Sequence, residues 1–123
     1  MKIIETENAP NACWAYSQWI STWNLVFTAG QIWLDPKTDT LVEGIELQAH
    51  QVMQNLKAIL EAEWLTLSHV IKTTVFLSDI SNWWKVNEIY AEYFSHKPAR
   101  STVAVAWLPA GALVEIECIA SKI

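Results

Sequence analysis

Arg100 and Glu117 are the two residues of this chain whose types and settings could do chemistry together. Arg100 lies in Pro98-Ala99-Arg100-Ser101-Thr102-Val103, among small and β-branched residues that favour a strand. Glu117 lies in Leu113 to Ile119, where Val114, Ile116, Cys118 and then Ala120 alternate with Glu115 and Glu117, the period-two pattern of a half-buried strand. A guanidinium is a planar fork that matches a carboxylate bidentately. A carboxylate beside it offers a base or a water-positioning group. On facing strands the pair would form a site for a small carboxylate. The plainer reading of Arg100, a structural ion pair with Glu115 or Glu117, stands beside it.

Other chemistry-bearing residues form no competing constellation. His50, His69 and His96 are unclustered and read as surface or helix-end histidines rather than metal ligands. Cys13 and Cys118 fit no CxxC pattern and read as free buried thiols in a reducing compartment. Lys72 could serve as a Schiff-base lysine, but nothing beside it argues for that role. No Ser/His/Asp or Cys/His arrangement accompanies Arg100.

With 123 residues the chain reads as one domain, 1–123, able to build a single core. Apolar residues make up 52% and charged residues 17%, so polar residues are too few to cover a monomer and a subunit contact is expected. The net charge of −5, with Lys and Arg scattered singly, argues against a nucleic-acid partner. No N-terminal apolar signal and no apolar run near ~18 residues appear, so no membrane partner and a cytoplasmic location are expected.

The elements that would position the pair follow from periodicity. Lys2 to Thr6, Tyr16 to Ile20 and Leu25 to Ala29 read as strands, the last two joined by a hairpin turn at Ser21-Thr22-Trp23-Asn24. Asp35 to Asp39 is a turn. From Ile45 to Glu63 the period becomes helical: Ile45, Ala49, Val52, Met53, Leu56, Ile59 and Leu60 share a face, with Gln48, Gln51, Gln54 and Glu61 largely off it. Val70 to Leu77 is a strand with Ile71, Thr73, Val75 and Leu77 on one side. Asp79 to Asn82 supplies caps for a second helix, striped by Trp83, Val86, Tyr90 and Tyr93 as core packing. Ala99 to Val105 and the final strand follow, giving β-β-β-α-β-α-β-β, an α+β domain with two helices over one face of a sheet.

The sequence resembles the RidA/YjgF family of reactive-intermediate (enamine/imine) deaminases along its whole length. The segments that carry the resemblance are Thr6-Glu7-Asn8-Ala9-Pro10, Tyr16-Ser17-Gln18, Gly30-Gln31, Asp35-Pro36, Val75-Phe76-Leu77, Val86-Asn87-Glu88, Pro98-Ala99-Arg100-Ser101 and Glu115-Ile116-Glu117. It implies a chorismate-mutase-like α+β fold, a six-stranded mostly antiparallel sheet, and a homotrimer with clefts between subunits. It also implies hydrolysis of small 2-imino acids such as 2-iminobutyrate to 2-keto acids and ammonia, with no cofactor and no metal. Carried over residue by residue, Arg100 would grip the substrate carboxylate and Glu117 would position or activate water. Tyr16, Gly30 and Asn87 would line the cleft, and Thr102 would contribute through its backbone beside the imine nitrogen.

Eight tryptophans depart from the family pattern. Trp14, Trp23 and Trp64 fall where the family commonly carries Gly, Trp33 where it has Pro, Trp107 where it often has Arg, Trp19 and Trp84 where it has small residues, and Trp83, a mild change, where it has another aromatic. Trading Gly for Trp removes easy access to positive φ. The pattern points to a Trp-enriched, engineered or heavily selected member. Trp14 and Trp33 neighbour Tyr16 and Gly30, so the alternative is a trimeric scaffold, non-catalytic or put to new chemistry, with an indole-remodelled cleft.

Overall fold

The computed structural model describes residues 1–13, 15–38 and 40–123. Its elements are β1 (Lys2–Ile4), β2 (Trp19–Thr22), β3 (Leu25–Thr28), β4 (Leu34–Asp35), β5 (Thr40–Leu41), α1 (Ile45–Ala62), β6 (Val70–Leu77), α2 (Trp83–Tyr93), β7 (Ala99–Ala104) and β8 (Val114–Ser121). Six strands form one sheet in the order β1-β2-β3-β8-β6-β7, antiparallel except for the β6–β7 pair, and both helices cover one face. β4 and β5 make a separate small hairpin around the turn that begins at Asp35.

The alternation in β8 sets the layers. Val114, Ile116, Cys118 and Ala120 are buried, while Glu115, Glu117 and Ile119 face the other way. The buried row joins Val26 of β3 and Val75 and Leu77 of β6 under Ala49, Val52, Met53, Leu56, Ile59 and Leu60 of α1. Trp19 is fully buried in this core, and its indole N–H donates to Glu63 Oε1 at 3.1 Å, so the large ring brings no orphaned donor. On the uncovered face, strand pairing aligns Ile3, Ile20, Phe27 and Ile119 in one row. Trp33, Leu108 and Ala112 form a small second core with Phe76 and Val105.

Three expectations are corrected here. The second strand begins at Trp19 rather than Tyr16, because the Gln18 amide donates to the carbonyls of Thr6, Ala9 and Pro10 and holds the preceding segment as a loop. Ile71 is exposed rather than buried: an extra residue between Val70 and Lys72 bulges the strand and turns it off the core row. Gln48 lies on the buried face of α1 because its side-chain oxygen accepts the Leu113 N–H at 2.9 Å. Of the expected turn from Asp35, Asp39 lies outside the described residues.

Two indoles occupy positions made for glycine. The β2–β3 hairpin closes with Thr22 paired to Leu25, leaving Trp23 at φ 50 in a two-residue loop. At the end of α1, Leu65 N donates to Leu60 O at 2.9 Å and Trp64 N to Glu61 O at 3.0 Å, a Schellman closure whose left-handed residue is Trp64 at φ 62. Each ring is 94% exposed, so packing returns little for the backbone strain. Trp23→Gly and Trp64→Gly are each expected to stabilise the fold by about 1 kcal/mol, additively, in urea denaturation. A loss of stability in either variant would show that its indole packs usefully.

Candidate functional site

β7 is the sheet edge and pairs only with β6, so its alternation decides where Arg100 points. Thr73 is registered with Arg100 and Val75 with Thr102, which puts all four on the helix-covered face. There the guanidinium is held from three sides. Its Nη1 donates to Asn87 Oδ1 at 2.8 Å, and its carbon sits 4.7 Å from the Tyr90 ring centre and 5.5 Å from that of Trp83. Tyr90 is fixed in turn by a 2.7 Å hydrogen bond between its hydroxyl and the fully buried Thr73 hydroxyl, and burial pushes the phenol's pKa up. The Thr102 hydroxyl is buried beside them without a hydrogen-bond partner. Asn87, Arg100 and Thr102 line a space of only about 10 Å³, room for one water at most.

Glu117 belongs to the other face. It is registered with Thr74, and a shallow depression of about 180 Å³ around it is lined by Phe27, Lys72 and Thr74 among others. Glu115 lies two residues away on the same face, against Phe76. Beyond β3 the chain continues along β8 through a bridge in which Gln31 N donates to Ile116 O at 2.8 Å. This brings Gly30 against Glu115: a Cβ on Gly30 would lie 2.8 Å from the Glu115 carboxyl carbon, so a side chain there would displace that carboxyl. Burial, then the neighbouring Glu117 charge, push the Glu115 carboxyl above the usual carboxylate range. Gly30 and Tyr16 share a cleft of about 90 Å³ with Cys13, whose backbone N–H donates to the Tyr16 hydroxyl at 3.4 Å.

The six expected residues therefore fall apart in one protomer: Arg100, Asn87 and Thr102 gather on the helix side, whereas Glu117 lies on the open side and Gly30, against Glu115, shares a separate cleft with Tyr16. Arg100 and Glu117 are not on facing strands, as the sequence led us to expect. β6 runs between β7 and β8, so they stand on opposite faces about 10 Å apart by strand spacing alone. The same geometry overturns the ion-pair reading: among the described residues no carboxylate lies within pairing distance of Arg100. Sequence reasoning missed Tyr90 and Trp83 as supports of Arg100, because their helical spacing reads as core packing.

The remaining candidates settle elsewhere. Lys72 Nζ donates to Ser101 Oγ at 3.0 Å. Cys118 is a buried thiol with its pKa pushed up to about 12 by burial, whereas Cys13 is exposed, contrary to expectation, because its loop lies outside the sheet. Trp33 packs into the second core and Trp107 is 74% exposed. Trp14 lies outside the described residues. A groove of about 410 Å³ along α1 with Asp35, Lys37 and Glu61 holds none of the expected residues.

Residues 6–122 match the family described as Endoribonuclease L-PSP. A RutC family protein of Pyrococcus horikoshii is 52% identical over 123 residues, covering 98% of both chains. A Salmonella typhimurium protein named 2-iminobutanoate/2-iminopropanoate deaminase is 44% identical over 125 residues, again covering 98% of each. The crystal structure of E. coli TdcF with bound serine superposes with a TM-score of 0.95 at 38% identity, over 100% of both chains.

The support beneath Arg100 can be tested through its deepest bond. Tyr90→Phe leaves the buried Thr73 hydroxyl unpaired and is expected to cost about 1–3 kcal/mol in urea denaturation. Adding Thr73→Val, which removes the other partner, is expected to restore most of that loss. A double variant no more stable than Tyr90→Phe would contradict this reading.

Proposed function

Because the chain belongs to the Endoribonuclease L-PSP family, which includes the RidA proteins, we propose that it is an enamine/imine deaminase. Its substrates would be small 2-imino acids such as 2-iminobutyrate and 2-iminopropionate, hydrolysed to 2-keto acids and ammonia. The observation that carries this reading is a half-buried guanidinium fixed by Asn87, Tyr90 and Trp83 and without a carboxylate partner among the described residues. Such a fork is set for an anion that the protomer does not supply. The acidic balance of the chain argues against RNA as that anion.

Neither group of residues encloses a ligand alone, so the working site combines the Arg100 group of one copy with the Glu117 group of another. The uncovered row of Ile3, Ile20, Phe27 and Ile119 supplies an apolar face for that association, which we take to be a homotrimer. In the assembled cleft Arg100 holds the substrate carboxylate. Tyr16, Gly30 and Asn87 form walls, and the Thr102 backbone lies beside the imine nitrogen. Glu117 aims a water at the imine carbon and takes its proton as the C–O bond forms and the C=N electron pair moves to nitrogen. That proton passes to nitrogen to give a carbinolamine, and Glu117 then moves the carbinolamine hydroxyl proton to the amino group as the C–N bond breaks, so that ammonia leaves and the C=O of the ketone forms. The imine is already electrophilic, so this chemistry needs neither a cofactor nor a metal.

The alternative, a trimeric scaffold that binds without turnover, draws on Trp23, Trp64, Trp84 and Trp107, four indoles exposed at 74% or more. Trp23 and Trp64 at positive φ support an engineered or heavily selected origin. Against cleft blockage, the Trp33 ring is buried in the second core. Ammonia release from freshly generated 2-iminobutyrate separates the readings. The deaminase is expected to exceed buffer, and Arg100→Ala to lower kcat/KM by about 10- to 100-fold through loss of a charge-assisted carboxylate contact. A folded oligomer with the rate of buffer would refute the deaminase.

A further inference from the structure

Glu115 is a carboxylate of the open face to which the proposed reaction gives no role, and its setting is unlike that of a solvated surface residue. It is half-buried against Phe76, and its side chain lies so close to Gly30 that even a methyl group there would collide with it. It shares its face with Glu117, two positions along the same strand. Among the described residues it has neither a hydrogen-bond donor nor a cation within pairing distance. Other charges on this face are few. Glu117 neighbours it on β8, and Lys72 lies farther along β6 with its ammonium hydrogen-bonded to Ser101. The Gly30–Gln31 segment brings no titratable group.

We propose that Glu115 is a second carboxyl of this cleft, a positioning residue whose protonation sets how strongly the site holds a 2-imino or 2-keto acid. This inference rests on the deaminase reading of the site. The Glu115 carboxyl lies against the Gly30 backbone, beside the place where a ligand carboxylate over Gly30 would sit. When protonated it is a neutral hydrogen-bond donor beside Glu117. When ionised it adds a second negative charge to a site whose ligand is itself an anion. The sign follows from its environment: burial and Glu117 raise its proton affinity, so the neutral form extends to higher pH than for a free glutamate and gives way as pH rises. Ligand affinity is therefore greatest on the acid side and falls as Glu115 ionises.

The test is binding of 2-ketobutyrate, followed by tryptophan emission, between about pH 5 and about pH 8, above the ordinary value of a glutamate. The unmodified protein is expected to lose about tenfold in affinity across that range, the scale of one added like charge in a partly desolvated site. Glu115→Gln, neutral throughout, is expected to hold one affinity across the same range. Gly30→Ala, which pushes the carboxyl aside without removing its charge, is expected to flatten the pH dependence in part and gives an independent readout should Glu115→Gln fold poorly. A Glu115→Gln protein with the same pH dependence as the unmodified protein would overturn the inference while leaving the deaminase reading intact. Binding that is absent, or equal in Arg100→Ala, would overturn the deaminase reading and this inference with it.

Discussion

The pairing of β8 with β3 on one side and β6 on the other is the constraint from which the rest of the molecule follows. Because side chains alternate along a strand, burying Val114, Ile116 and Cys118 under the helices forces Glu115 and Glu117 onto the uncovered face. Because β6 is the neighbour of β8, β7 can join only at the outer edge of β6, and its register with β6 turns Arg100 inward under α2. The carboxylate-holding and water-activating groups of the proposed reaction are thus held apart by the same ladder that makes the core.

That separation gives the uncovered face its meaning. A sheet with helices on one side and a cross-strand row of isoleucine and phenylalanine on the other is half of a layered structure. Covering this face with another copy removes the apolar row from water, and in the proposed assembly it also brings Arg100 of one copy to Glu117 of the next. The guanidinium needs no rearrangement for this, since Asn87, Trp83 and Tyr90 already hold it. Preorganisation of this kind puts the ordering cost into folding rather than into binding.

Much of this was legible in the residues. The alternation in β8 and the helical stripe of α1 depend on local periodicity, and the structure follows them, whereas Asp79 caps the short turn at Ile80–Asn82 and Asn82 gives α2 no side-chain cap. What escaped was set by tertiary neighbours. The insertion of β6 between β7 and β8 cannot be read from composition, so Arg100 and Glu117 looked like facing partners. The bulge at Ile71 inverts a pattern without any glycine to announce it. Gln48 and Gln18 are buried because backbone groups distant in sequence need their amides. Trp23 and Trp64 carry the opposite lesson. Their type argues against positive φ, yet the hairpin and the helix end impose it, which shows that the surrounding fold dominates the local preference.

The central claim is that one site draws on two copies of the chain, and mixing inactive variants tests it most directly. Arg100→Ala and Glu117→Gln would each be purified, combined in equal amounts, unfolded together and refolded, and the deaminase rate compared with that of each variant refolded alone. If neighbouring copies share the site, about one in four sites in the mixed oligomers unites an intact Arg100 group with an intact Glu117 group, and activity returns to about that fraction of the unmodified protein. A mixture no more active than its separate components would contradict the account and place both groups in the service of a single protomer.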